Sequence, residues 1–142
     1  MNAAQIVLIE DNSADVFLVE LALKENGILY ELTRFKNGQA AVDSLCADAA
    51  GKDGFHPDAI LLDLNTPRSD GFEVLGKLRQ NPRLSDVPIA IITSSQAHSD
   101  KHRTSLMGAV RYIEKPSQLG EFLSTVGLAV KEMLGAECPR PT

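Results

Sequence analysis

Short apolar runs, each followed by a polar or charged residue, recur four times along this chain of 142 residues. The run Ala59–Leu62 ends at Asp63, and Pro67 and Gly71 then signal a turn. An unbroken apolar run of this length is typical of a strand buried on both faces of a parallel sheet. The other runs are residues 6–9, followed by Glu10 and Asp11; residues 88–92, followed by Thr93 and Ser94; and residues 110–114, followed by Lys115.

Segments with helical spacing separate these runs and predict an alternating α/β fold. Residues 30–35 form a further short strand with interleaved charges, which indicates a sheet edge. Helices are predicted over residues 14–25, 38–48, 71–81, 97–107 and 118–134. This alternation predicts a doubly wound, five-stranded parallel sheet with helices on both faces. The expected strand order is the flavodoxin-like 2-1-3-4-5, with a crevice between the carboxyl ends of strands 1 and 3.

Length and composition indicate a single domain over residues 1–142, with a core of about 5–134 and a short tail, 135–142. The net charge of -5 argues against binding to the phosphate backbone of a nucleic acid. No membrane-spanning segment or signal peptide is evident, so a cytoplasmic location is expected. Cys46 and Cys138 lack metal-ligand spacing and are expected to be reduced thiols.

The carboxyl ends of the strands bring three carboxylates to one crevice. Glu10, Asp11 and Asp63 would repel one another there unless a cation neutralised them. Mg²⁺ suits such oxygen ligands, and Mn²⁺ could substitute for it. The backbone carbonyl of Asn65 is expected to complete the metal site. We therefore expect a divalent cation held by these residues.

The remaining polar residues at the strand ends suit phosphoryl transfer to a carboxylate. Asp63 can attack phosphorus to give an aspartyl phosphate. The ammonium group of Lys115, the hydroxyl of Thr93 and the backbone N–H of Ser94 could each stabilise the phosphoryl oxygens. Taken singly, these residues are a turn carboxylate, a surface lysine and a strand-end hydroxyl, and Glu10-Asp11 could simply favour a helix N-terminus. Their convergence from four strand ends favours the chemical interpretation.

These motifs resemble the receiver domain of two-component response regulators over about residues 5–134. The resemblance implies that Glu10 and Asp11 are the acidic pair that binds Mg²⁺, with Glu in place of the commoner Asp. It implies that Asp63 is the phospho-acceptor. Thr93 is then the hydroxyl that moves toward the phosphoryl group, and Tyr112 is the aromatic residue that swings inward with it.

The resemblance also implies that Lys115 is the family's invariant lysine, followed by Pro116 in a cis peptide bond. Two features depart from the usual pattern: Thr66 replaces a large apolar residue, and the segment 46–57 is longer than in the smallest receivers. That segment, Asp63-Leu64-Asn65 and the short tail make the chain similar to stand-alone receivers paired with phytochrome-type histidine kinases.

The function implied is that of a single-domain response regulator rather than a conventional enzyme. A histidine kinase, of the phytochrome type by this resemblance, would phosphorylate Asp63 in a Mg²⁺-dependent reaction. The protein would catalyse only its own phosphorylation and dephosphorylation, with Asn65 and Ser95 placed to influence hydrolysis. Its output would be a protein contact: a kinase, a phosphotransfer protein, a target, or a second copy bound through helix 4, strand 5 and helix 5.

Two other functions fit parts of the pattern. A phosphohydrolase of the haloacid dehalogenase type uses similar groups, but it places its nucleophile in an Asp-x-Asp motif after the first strand, which is absent here. An interaction module that works without phosphorylation is disfavoured by the complete residue set. His98 and His102 lie one helical turn apart in the polar helix 97–107, without an evident third metal ligand, so solvated histidines are expected.

Overall fold

The computed structural model describes residues 3–46, 56–67, 69–94 and 98–137. Five strands and five helices alternate along these ranges. The strands are β1 Ala4–Ile9, β2 Tyr30–Phe35, β3 Ala59–Leu62, β4 Ile89–Thr93 and β5 Arg111–Glu114. The helices are α1 Ser13–Glu25, α2 Gly38–Leu45, α3 Gly71–Gln80, α4 His98–Leu106 and α5 Leu119–Glu137.

The strands form one parallel sheet in the order β2-β1-β3-β4-β5, which confirms the predicted fold. Strand β1 lies between β2 and β3, and Val7 is in register with Thr33 on one side and Ile60 on the other. Every residue of β3 and β4 is buried, as the unbroken apolar runs predicted. The order reverses at β1, so the crevice lies beside the carboxyl ends of β1 and β3.

The sheet is covered on both faces by apolar packing. Alternate strand residues, such as Leu8 and Leu61, pack with side chains of α1 and α5. Their neighbours, such as Val7 and Ile60, pack with side chains of α2 and α3. This alternation follows from the two-residue period of a strand, and it fixes which residues reach the crevice at the strand ends.

Side-chain caps fix the start of three helices near the crevice. Asn12 Oδ1 accepts hydrogen bonds from the backbone N–H groups of Ala14, at 2.9 Å, and Asp15, at 3.1 Å. Asn37 caps α2 and Asp70 caps α3 in the same way. Each cap satisfies N–H groups that have no partner inside the helix, so the loops entering α1, α2 and α3 have defined positions.

The loop that follows Asp63 is held by close packing and a hydroxyl network. A Cβ atom on Gly71 would lie 2.5 Å from the Cα of Leu64, so only glycine fits against this loop. The buried hydroxyl of Thr66 lies 3.1 Å from Ser69 Oγ, and that oxygen accepts the Gly38 N–H at 2.9 Å. Thr66, which departs from the usual apolar residue, thus helps to tie the loop to the start of α2.

Two helix ends differ from prediction by three residues each, and the other differences are of a single residue. Helix α5 continues to Glu137, three residues past the predicted end, because Gly135 does not interrupt it and the residues that follow are good helix formers. Helix α2 ends at Leu45 rather than at residue 48, and the backbone N–H of its C-cap residue, the free cysteine Cys46, donates to Val42 O. Most of the predicted loop 46–57, Cys138 and the rest of the tail lie outside the described residues. None of the helices within the described ranges is long and apolar enough to cross a membrane.

Candidate phosphoryl-acceptor site

Backbone hydrogen bonds carry the sheet one residue beyond its apolar strands and so place the polar residues. The N–H of Glu10 donates to Phe35 O at 2.9 Å, and the N–H of Asp63 donates to Ile9 O at 3.0 Å. On the other side, the N–H of Lys115 donates to Thr93 O at 2.8 Å. The hydrogen bonds of the sheet therefore fix the backbone position of each of these residues.

Three carboxylates meet at the crevice. One oxygen from each of Glu10, Asp11 and Asp63 lies within 4.8 Å of the other two. Glu10 is only 1% exposed and Asp63 only 4%, whereas Asp11 is exposed. Such a set has a high free energy unless positive charge is nearby. The structure thus brings together the three carboxylates that the sequence singled out.

Lys115 supplies that positive charge in the structure. Its Nζ donates to Glu10 Oε1 at 2.8 Å and to Asp63 Oδ2 at 3.1 Å. It also donates to Asp15 Oδ2 at 2.7 Å, a contact that was not predicted from the sequence. Asp15 lies in the first turn of α1, four residues after Asp11. The only sign of this contact in the sequence was the position of Asp15 on the helix that starts at the crevice.

Burial and charge shift the titration of two of these groups. Burial raises the pKa of Glu10 from 4.5 to about 7, although its hydrogen bond from Lys115 opposes the shift and the nearby charge of Asp63 adds to it. Burial would lower the pKa of Lys115, but hydrogen bonds to Asp15 and Glu10 outweigh it and raise that pKa. Lys115 therefore stays charged at neutral pH, and the ionised form of Glu10 needs more positive charge than Lys115 alone provides.

Thr93 is fully buried at the end of β4, and Asn65 connects it to Asp63. The side-chain amide of Asn65 donates to Thr93 Oγ1 at 3.0 Å, while its backbone N–H donates to Asp63 Oδ1 at 2.9 Å. The backbone carbonyl of Asn65 is the metal ligand predicted from the sequence, whereas the hydrogen bond from its side-chain amide to Thr93 was not predicted. Ser94 follows Thr93 and is exposed.

Tyr112 is half-buried on β5 and in register with Ile91. It packs against the apolar cluster that α3 also contacts, and it lines a cavity of about 130 Å³ with residues of α4, among them Thr104. The predicted cis bond before Pro116 was wrong, because the described residues contain no cis peptide bond and Lys115–Pro116 is therefore trans. The trans form is the intrinsically preferred state of such bonds.

Chemically, the three grouped carboxylates fit a hard divalent cation. They offer only oxygen atoms, which Mg²⁺ and Mn²⁺ prefer. Two of them are already paired with Lys115, so a cation would share or displace these contacts. An anionic group would in turn meet the ammonium of Lys115 at this edge of the sheet. Ser95 and the side chain of His98 lie outside the described residues.

Comparison with known proteins identifies the family. Residues 6–127 match the family described as the response regulator receiver domain. This chain belongs to that receiver family. Among curated relatives, the response regulator Rcp1 of Synechocystis sp. (strain ATCC 27184 / PCC 6803 / Kazusa) is 35% identical over 121 residues, which cover 85% of this chain and 82% of Rcp1. The resemblance inferred from the sequence is thereby confirmed.

Solved structures of related receivers share the whole fold. The phosphorylated cyanobacterial phytochrome response regulator RcpA has a TM-score of 0.85 at 28% identity, covering 99% of this receiver and 100% of RcpA. The Mn²⁺-bound form of Rcp1 has a TM-score of 0.84 at 32% identity, with 98% and 99% covered. The bacteriophytochrome response regulator RtBRR has a TM-score of 0.75 at 30% identity, with 94% and 79% covered. This receiver is therefore similar to response regulators of phytochromes.

Glu10→Gln is expected to change how the stability of this receiver depends on pH in the absence of a metal. The folded carboxyl keeps its proton up to about pH 7, whereas the unfolded one loses it near 4.5. The wild type therefore loses stability relative to Glu10→Gln as the pH rises through this interval, by up to about 3 kcal/mol. Saturating Mg²⁺ should remove the difference, because the cation stabilises ionised Glu10.

Urea unfolding in a chelator at several pH values measures this effect. Glu25→Gln is the matched control, because Glu25 is an exposed carboxylate at the far end of α1. It should follow the pH dependence of the wild type. A difference between wild type and Glu10→Gln that stays constant from acid to neutral pH would show that buried Glu10 does not carry the shift.

Proposed function

We propose that this receiver is a response regulator that accepts a phosphoryl group onto Asp63 in a Mg²⁺-dependent reaction. The observation that carries the proposal is the position of the Asp63 carboxylate. It is grouped with the carboxylates of Glu10 and Asp11, its Oδ2 accepts a hydrogen bond from Lys115, and its Oδ1 accepts the N–H of Asn65. Few arrangements other than phosphoryl acceptance need both a cation site and an ammonium group around one carboxylate.

In the proposed reaction, an oxygen of Asp63 forms a bond to phosphorus while the bond from phosphorus to the donor breaks. A bound Mg²⁺ would supply positive charge to the phosphoryl oxygens, held by Glu10, Asp11, Asp63 and the carbonyl of Asn65. The ammonium of Lys115 neutralises a further oxygen, and Ser94 offers its backbone N–H. Later attack by water on phosphorus releases phosphate and restores the carboxylate.

Thr93 and Tyr112 are the proposed switch. In the structure Thr93 Oγ1 accepts a hydrogen bond from the Asn65 amide. A phosphoryl group on Asp63 would offer the Thr93 hydroxyl an anionic acceptor, and a hydrogen bond to a charged acceptor is stronger, which favours a different position of the hydroxyl. Tyr112 lies on the neighbouring strand beside α4, so a shift of Thr93 would change the space open to its ring. Helix α4 and β5 then carry the signal to partners.

The proposed phosphoryl donor is a histidine kinase of the phytochrome type, and a phosphotransfer protein is a further proposed partner. Similarity to Rcp1, RcpA and RtBRR supports this assignment. Transfer from a purified phytochrome-type kinase, with a kinase of another sensor class as control, tests it. Equal or faster transfer from the control kinase would count against the pairing.

We also propose a homodimer through α4, β5 and α5. Exposed apolar side chains lie on this surface, namely Leu106 at the end of α4 and Val110 before β5. Leu128 on α5 is exposed too, and it lies one turn before Glu132, which pairs with Arg111 of β5. Sedimentation that stays monomeric with and without a phosphoryl mimic would remove this proposal.

Incubation of the wild type with acetyl phosphate tests the proposed function. With Mg²⁺, we expect a gain in mass of one phosphoryl group, and reduction of the acyl phosphate by borohydride should mark Asp63 in the peptide map. With a chelator, no mass gain is expected, because the crowded carboxylates then repel the donor. A receiver that gains no phosphoryl group from acetyl phosphate or from a cognate kinase would instead be an interaction module.

A further inference from the structure

Arg34, near the end of β2, contacts the loop that carries the acidic pair Glu10 and Asp11. Its Nε donates to the backbone carbonyl of Glu10 at 2.9 Å, and its Nη2 donates to that of Asp11 at 3.0 Å. A longer contact of 3.5 Å joins Nη2 to Ser13 Oγ. One planar guanidinium group therefore holds two successive carbonyls of the loop that carries the acidic pair.

Several hydrogen bonds fix the backbone around the acidic pair, and Arg34 supplies two of them. The Glu10 N–H is held by β2, and the Asn12 N–H donates to Glu10 Oε2 at 3.1 Å. The Asn12 carbonyl accepts the N–H of Val16 at 3.1 Å, in the first turn of α1. Between these anchors, the carbonyls of Glu10 and Asp11 rely on the guanidinium of Arg34.

The two cations beside the carboxylates act on different atoms. Lys115 binds carboxylate oxygens, which are the atoms a metal would use. Among the ion pairs of the described residues, none joins Arg34 to a carboxylate, and its donors are directed at carbonyls. Arg34 can therefore orient Glu10 and Asp11 without occupying the oxygens that would bind a cation.

We propose that Arg34 is a positioning residue of the divalent-cation site: it fixes the backbone from which Glu10 and Asp11 extend. This inference rests on the proposed cation binding by these carboxylates. The hydrogen bonds of Arg34 and its positive charge have opposite expected effects on cation binding, so an experiment can distinguish them. If the charge of Arg34 dominated, its removal would strengthen binding of a cation; if its two hydrogen bonds dominate, removal weakens binding.

The test is Mn²⁺ binding to the unphosphorylated full chain, followed by the electron paramagnetic resonance signal of free Mn²⁺. Arg34→Met should weaken binding at least about tenfold, the usual loss when a group that orients metal ligands is removed. Arg34→Lys keeps the charge but offers one donor centre for two carbonyls, so it should also weaken binding. Lys36→Gln removes an exposed cation next to the same strand and should bind Mn²⁺ at least as well as the wild type.

Amide hydrogen exchange without metal gives a second measurement. Faster exchange in Arg34→Met, confined to the loop residues Asp11 and Asn12, supports positioning; unchanged exchange there overturns it. Wild-type or tighter Mn²⁺ binding by Arg34→Met, or full retention of binding by Arg34→Lys, also overturns it. Because no phosphoryl donor is present, failure of this inference is distinct from failure of phosphorylation. Failure of the wild type itself to bind Mn²⁺ would contradict the proposed cation site and, with it, this inference.

Discussion

Asp63→Asn is expected to abolish phosphorylation completely while leaving the fold intact. The amide keeps the shape of the side chain, and its oxygen can still accept the N–H of Asn65, which Asp63 Oδ1 accepts at 2.9 Å. What it loses is the anionic oxygen that attacks phosphorus, and neutral amide oxygen is a poor nucleophile. Mass spectrometry after treatment with acetyl phosphate and Mg²⁺ should show no adduct at any time.

The matched control is Asp58→Asn, at the opposite end of β3. Asp58 is also a carboxylate beside this strand, but its Oδ2 accepts the backbone N–H of Gln5 at 2.7 Å, far from the crevice. Asp58→Asn should gain a phosphoryl group at the wild-type rate, even if its stability changes. An adduct of equal yield in Asp63→Asn would place the acceptor elsewhere and remove the proposed function.

Asp63→Asn should also raise the stability of the metal-free receiver. Asp63 is buried beside Glu10 and Asp11, so neutralising it removes repulsion. The ion pair between Lys115 and Asp63 is lost, but Lys115 keeps its shorter contacts with Glu10 and Asp15. We expect a gain on the order of 1 kcal/mol without metal, and a smaller stabilisation by Mg²⁺ than the wild type shows. Thermal melting in a chelator measures both, and a clear fall in melting temperature would contradict the repulsion.

The central strands and the main site residues were predictable because their signals are local. The run Ala59–Leu62 has no polar residue, so it can only be a strand or helix buried on both faces, and the turn after Asp63 decides between them. Once the strand order followed from the alternating elements, the meeting of Glu10, Asp11 and Asp63 followed from topology alone.

Asp15 and Arg34 were not predictable in the same way, because their roles depend on tertiary directions. A carboxylate in the first turn of a helix is also explained by the helix dipole, so the place of Asp15 beside the crevice did not by itself indicate a contact with Lys115, which is 100 residues away along the chain. Arg34 is one of several charges on an edge strand. Its contacts with the carbonyls of Glu10 and Asp11 depend on how the β1–α1 loop curves, which no periodic pattern records.

Lys115→Met should give the largest loss of stability, and the loss should depend on metal. In the part of the chain that the structure describes, the ion pairs of Glu10 and Asp63 are made with Lys115 alone, and breaking a buried ion pair from one side costs about 3–5 kcal/mol. For a domain of this size, that corresponds to a fall in melting temperature of roughly 10 °C or more at pH 8 in a chelator. At lower pH the fall should be smaller, because Glu10 can take up a proton.

Mg²⁺ should restore most of this stability, and that rescue separates the role of Lys115 from ordinary packing. A divalent cation neutralises the same carboxylates that Lys115 neutralises, and it no longer competes with an ammonium group for their oxygens. Mg²⁺ should therefore bind Lys115→Met more tightly than the wild type and stabilise it more. Lys131→Met, an exposed lysine of α5, is the control and should show neither effect.

Phosphorylation further distinguishes the role of Lys115 from that of the bound metal. In Lys115→Met, the bound metal can still draw the donor to Asp63, so some phosphoryl group should be accepted, but the ammonium that would hold a phosphoryl oxygen is missing. The phosphorylated variant should therefore fail to change Thr93 and Tyr112 as the wild type does, which chemical shifts of β4 and β5 would report. Melting of metal-free Lys115→Met at the wild-type temperature would mean that Lys115 is not the counter-ion of the carboxylates. Normal shifts after its phosphorylation would mean that Lys115 is not part of the switch.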